Sequence, residues 1–111
     1  MRTYFLNDMA AAYIEAAYFT DGDGDELGDP ELSTQFKADA YIACRDFEDA
    51  ANTLEIDLRA RYSAEQLGHD LWLTRNRHGA GFWDRPEVYG EHTDIFTALA
   101  HAQGEHYAEF I

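Results

Sequence analysis

Apolar residues recur three to four positions apart along most of this chain, and that spacing predicts a mainly helical protein. Phe5, Met9, Ala12, Ala16 and Phe19 share one side of a first helix running from about Leu6 to Phe19, with Thr3 or Asn7 near its start. The Gly-Asp run from Asp21 to Pro30 must end it. A second helix from about Thr34 to Leu54 is the clearest, because Phe36, Ala40, Ala43, Phe47, Ala50 and Leu54 form one narrow face. The third opens with Ser63-Ala64-Glu65-Gln66, the spacing of a capping box, and turns Leu67, Leu71 and Trp72 inward. It should stop near His78-Gly79, where Arg75, Arg77 and His78 complement the helix dipole and Gly79 takes a left-handed cap. Gly81 to Asp84 then reads as a tight apolar turn or short strand. A fourth helix covers about Glu87 to Gln103, with Val88, His92, Ile95, Leu99 and Ala102 on its inner face and Gly104 as its stop. Tyr107 to Ile111 reads as a short strand. The expected fold is mainly α: a compact bundle of about four helices with very short strands at most, forming a single acidic domain over residues 1–111.

Charge changes this picture more than composition does. With 22 acidic residues against 8 Lys and Arg, the chain carries a formal net charge of -14. Such a chain avoids nucleic acid and anionic membranes and seeks basic surfaces. Residues 1–57 hold a net of -11, residues 58–85 a net of +2 and residues 86–111 a net of -5, so acidic flanks enclose a locally basic centre. On the second helix Asp39, Asp46 and Asp57, with Asp49 beside them, read as a flank of carboxylates next to the apolar face. Members seven residues apart stand about 10.5 Å apart along a helix axis. A plainer reading competes, because an acidic surface with one Lys against seven Arg also serves solubility or reflects genome composition. Cys44 is the single cysteine, which excludes an internal disulfide and favours a reducing compartment. No apolar run approaches the roughly 20 residues of a membrane span, and the Met1-Arg2-Thr3-Tyr4 start does not resemble a secretory signal, so the cytoplasm is the expected location.

Residues 67–85, Leu67-Gly68-His69-Asp70-Leu71-Trp72-Leu73-Thr74-Arg75-Asn76-Arg77-His78-Gly79-Ala80-Gly81-Phe82-Trp83-Asp84-Arg85, resemble a block of the form HDFWLTRNxHGAGFWDR found in small acidic proteins of bacteriophages and plasmids. The likeness extends more loosely to the first helix, through Ala12 to Ala16, and to the acidic loop. It departs after Arg85, where Pro86-Glu87-Val88-Tyr89-Gly90 replaces a Gly-rich turn. The resemblance implies a mobile-element context and no particular activity. From the residues themselves, the block reads as a structural clasp. In it Trp72, Phe82 and Trp83 bury large apolar groups, Gly79 and Gly81 let the chain fold back over the helix end, and Asp70 and Asp84 stand near enough to pair with Arg75, Arg77 or Arg85. His69 and His78 complete the clasp.

Catalytic and metal chemistry finds little support. Asp21, Asp23 and Asp25 match the first ligands of a calcium loop, yet Glu26 stands where the turn demands Gly and Leu32 where a bidentate Glu is needed. An acidic solvated loop is the favoured reading. His69 and His78 with Asp70 and Asp84, or His101 with His106, lack the spacing of a helical zinc site. Ser33 and Ser63 read as loop or cap residues, and Cys44 lies on a helix beside Ala43 and Phe47, where burial would keep its thiol inert. No catalytic residue, metal or cofactor is expected. The function expected is inhibition of a host nucleic-acid-binding defence complex, a CRISPR surveillance complex or a restriction enzyme, by a mobile-element protein that mimics DNA. The chain, as monomer or homodimer, would meet the basic surface of that complex through Asp39, Asp46, Asp49 and Asp57 and the loop acids Asp21, Asp23, Asp25, Glu26, Asp29 and Glu31. An adaptor docking through its aromatic clasp or fourth helix is the alternative, and a small metal-dependent enzyme ranks third.

Overall fold

A computed structural model describes residues 4–21, 32–77 and 80–107, and for Tyr4, Thr20 and Asp21 the backbone alone. Helix α1 spans Tyr4–Asp21, α2 Thr34–Thr53, α3 Leu58–Arg61, α4 Ala64–Arg75, α5 Pro86–Tyr89 and α6 Thr93–Ala102. Two 3-10 turns, Phe82–Asp84 and Gly90–His92, flank α5. The architecture is a mainly α compact bundle with a radius of gyration of 13.6 Å, and no strand element occurs among the described residues. The Gly-Asp run, His78, Gly79 and the end of the proposed last strand lie outside those residues.

Local chemistry sets the helix starts. Ser33 Oγ accepts the Phe36 amide at 3.0 Å and Ser63 Oγ accepts the Gln66 amide at 3.0 Å, each satisfying one orphan donor of a first turn. The Gln66 side chain does not close a capping box; its amide donates to Asp70 Oδ2 at 2.7 Å. Asp57 lies beyond the end of α2 and caps α3, accepting the Ala60 amide at 3.3 Å, which removes it from the carboxylate flank expected on the second helix.

Helix α4 runs through the middle of the bundle and is buried on most of its circumference, at Leu67, Gly68, Asp70, Leu71, Trp72, Leu73, Thr74 and Arg75. Its main partner is α1, and the two backbones meet at Gly68. A Cβ placed there would lie 2.0 Å from Met9 O and 3.1 Å from Tyr13 N, so only a residue without a side chain fits. Around this crossing two aromatic clusters form. Tyr13, Phe36, Trp72 and His106 make one, with Phe36 stacked on the His106 ring at 4.5 Å. Phe47, Phe82, Tyr89, Phe96 and Tyr62 make the other.

Three apolar faces differ from the sequence reading. The fourth helix is interrupted: Pro86 starts α5, Gly90 adopts φ 54° and a 3-10 turn intervenes before α6. One left-handed residue shifts the helical phase, so Tyr89, His92, Phe96 and Ala100 face the core while Val88 and Ile95 are exposed. Phe19 at the end of α1 is 73% exposed. Leu54 is also exposed, because the chain leaves α2 there through Glu55 at φ 64°.

Candidate functional site

Carboxylates gather in two places. On α2, Asp39 and Asp46 line one open cavity of about 360 Å³ together with Ile42, Ala43, Arg75, Gln103 and His106. Asp39 accepts the Gln35 side-chain amide at 2.9 Å, while Asp46 is exposed and meets Arg45 at 3.4 Å. Asp49, one turn further along, is exposed. In a second place, Asp8 and Glu15 of α1 line a hollow of about 260 Å³ with Glu65 of α4. Asp8 and Glu15 were not singled out from the sequence, although their seven-residue separation equals that of Asp39 and Asp46. Of the loop acids, Asp23, Asp25, Glu26, Asp29 and Glu31 lie outside the described residues, as does the Asp21 side chain.

The floor of the α2 cavity is a buried cation with neutral partners. Arg75 Nε donates to Gly104 O at 2.8 Å, Nη1 to the Tyr13 hydroxyl at 2.9 Å and Nη2 to Gln103 O at 3.1 Å. Because a guanidinium only donates, the Tyr13 proton is available to His106 Nδ1, 2.6 Å away. Burial, reinforced by the Arg75 charge, lowers the His106 pKa below its ordinary value, consistent with a neutral ring accepting that bond. Burial raises the Tyr13 pKa well above the usual phenol range. Gln103 Nε2 donates to Ala43 O at 3.0 Å, and its buried Oε1 has no hydrogen-bond partner among the described residues. These contacts fasten the segment after α6 across α1, α2 and α4.

The clasp has an ionic centre. Asp70 is fully buried and accepts Arg85 Nε at 2.9 Å, the Tyr89 hydroxyl at 2.5 Å and the Gln66 amide, with His69 Nδ1 at 4.0 Å on the solvent side. Burial, and then the Asp70 carboxylate that takes its hydrogen bond, push the Tyr89 pKa far up. Thr74 Oγ1 accepts the Phe82 amide at 2.9 Å, bringing the chain back over the end of α4. Gly81 permits this approach, since at φ 143° an added Cβ would lie 2.3 Å from Thr74 Oγ1. Trp72 and Phe82 are buried, as the clasp requires. Trp83 departs from it: the residue is 48% exposed, because the 3-10 turn points Phe82 inward and its neighbour outward. Asp84 is exposed and forms no ion pair with a described residue, Arg85 being bonded to Asp70. Among the described residues that follow α4, Arg77 takes a left-handed backbone, at φ 56°; Gly79, the cap the sequence suggests, lies outside the described residues.

Other reactive groups are contained. Burial pushes the Cys44 thiol up to about 12, which leaves almost no thiolate at neutral pH. Among the described residues no group of three His, Cys, Asp or Glu side chains could hold a metal ion, and no helix is long and apolar enough to cross a membrane. Comparison with known protein families, with curated proteins and with solved structures gives no match to this chain.

Proposed function

We propose that this protein is an anti-defence inhibitor of phage or plasmid origin that occupies the DNA-binding surface of a host CRISPR surveillance complex or restriction enzyme. The observation that carries the reading is where the acids lie: among the described carboxylates only Glu48 and Asp70 are buried, and both are paired internally, with Arg59 and Arg85. The others face outward at least in part. The longest dimension of the molecule is 42 Å. Duplex DNA of that length carries about 25 phosphates, at roughly one per 1.7 Å of axis. A net charge of -14 is therefore within a factor of about two of the polyanion it would replace. Asp39, Asp46 and Asp49 on α2 supply spaced carboxylates for Lys and Arg of such a surface, and the likeness of residues 67–85 to acidic phage and plasmid proteins supplies the context.

The test is competition with duplex DNA for a purified defence complex, at about 50 and 500 mM salt. Mimicry predicts fast association that weakens steeply at the higher salt, and a D39N/D46N/D49N variant that keeps its helical circular dichroism while losing inhibition at least about tenfold. Equal binding at both salts would instead favour the second reading, an adaptor docking through apolar contacts. That reading has its own support in Trp83, Val88 and Ile95, which are 48%, 42% and 38% exposed.

A further inference from the structure

The geometry points to a second site: a cleft between the end of α4 and α6 that binds a mononucleotide, a phosphate joined to a planar base. It is independent of the acidic surface and would stand if the inhibitor reading failed. Its described lining is Arg77, Trp83, Thr97 and His101, around about 360 Å³. That volume lies at the lower end of the roughly 300–1,000 Å³ typical of small-ligand sites. In a chain with 22 acids, no carboxylate occurs among the described residues of this lining.

Three features of the lining suggest a ligand. Among the described arginines, Arg45, Arg59, Arg61 and Arg85 each meet a carboxylate and Arg75 meets two carbonyls and a hydroxyl, whereas the Arg77 guanidinium makes no ion pair or hydrogen bond with a described residue. Its backbone adds weight, for φ 56° is a conformation that favours glycine. An arginine held there at a conformational cost is better explained by its side chain than by the turn. Finally, the half-exposed Trp83 ring has no ring partner among the described residues, unlike the buried Trp72, which meets Tyr13, Phe36 and His106 edge-on.

The ligand chemistry follows from these groups. A guanidinium fork takes two oxygens of a phosphate, and an indole face stacks on a heteroaromatic ring. His101 and the Thr97 hydroxyl, which donates to Thr93 O and keeps its lone pairs for acceptance, are left to meet ring or ribose groups. Inorganic phosphate alone would leave the tryptophan uncovered. A long nucleic-acid strand would be repelled by the net charge of -14, which favours a mononucleotide over a strand.

Titration of the full chain with adenosine, guanosine and uridine 5′-monophosphates, read by tryptophan fluorescence, tests the proposal; Trp72 is buried, so the response reports Trp83. At least one nucleotide should bind below about 1 mM, with the matching nucleoside and inorganic phosphate each at least about tenfold weaker. R77G and W83L should each weaken binding at least about tenfold, and R77G should do so with a melting temperature that is unchanged or raised, which excludes misfolding as the cause. The proposal is overturned if no nucleotide binds up to about 5 mM, if R77G binds as well as the parent chain, or if a 5′-phosphorylated oligonucleotide binds more tightly than the mononucleotide.

Discussion

Asp70 illustrates how one side chain can hold several segments together. Its carboxylate is sealed from water and accepts bonds from Arg85, Tyr89 and Gln66, so it joins α4 to the turn and short helix that follow. Replacing it with Ala would leave the Arg85 guanidinium and the Tyr89 hydroxyl without their buried acceptor. Removing one partner of a fully buried pair costs about 3–5 kcal/mol, and the 29% exposure of Arg85 brings the cost here to the lower end, about 3 kcal/mol. We expect Asp70→Ala to lower the free energy of unfolding by about that amount, measured by urea denaturation with an unchanged slope. A loss under about 1 kcal/mol would show that water reaches the pair. Glu48 meets Arg59 through two bonds, at 2.8 and 3.0 Å, and Arg59 is 35% exposed, slightly more than Arg85, so screening by solvent reduces what this pair contributes somewhat further.

Among the elements, α1 and α4 form the closest contact, and Gly68 decides it. Glycine inside a helix is ordinarily unfavourable by about 0.5–1 kcal/mol relative to alanine, so an exposed Gly→Ala change would stabilise the protein. At Gly68 the sign should reverse, because the new methyl would meet the carbonyl of Met9 at 2.0 Å and neither backbone can yield without moving its helix. Gly68→Ala should therefore destabilise by about 3 kcal/mol, read by thermal or chemical unfolding. Neutral or improved stability would disprove the crossing. The α5 and α6 region makes a related point. Its residues carry a helical pattern from Glu87 to Gln103, yet Gly90 divides it and rotates the second part, exchanging Ile95 for Phe96 at the core.

For the whole molecule, the unbalanced charge that suits a basic partner opposes the folded state. Outward-facing carboxylates repel one another, and the surface pairs of Arg45 with Asp46 and Arg61 with Glu91 are exposed and weak. Salt screens both effects, but the repulsion involves far more charges. Raising sodium chloride from about 20 to 300 mM should raise the melting temperature by roughly 5 °C, equivalent to about 1 kcal/mol at this size. A falling melting temperature would mean that ion pairs, not repulsion, dominate the surface. The same salt series applied to a complex should act in the opposite direction, loosening contacts with a basic partner while stabilising the free chain.

Much of the helical framework was legible because it depends on neighbours in the sequence. Ser33 and Ser63 as caps, α2 between Thr34 and Thr53, the inward Leu67, Leu71 and Trp72, and the inert Cys44 all follow from spacing and side-chain chemistry within a few residues. The short α3 was not legible, since four residues are too few to show a period, although Asp57 before Leu58 is an N-cap signal. Tertiary structure alone decided the partners of the charges: Asp70 takes Arg85, Arg75 binds carbonyls of a segment 28 and 29 residues away, and Arg77 is left facing a cleft. Those choices turn on where distant segments meet. A single left-handed residue, Arg77 or Gly90, changes the direction of everything after it, and hydrophobic spacing carries no record of that turn.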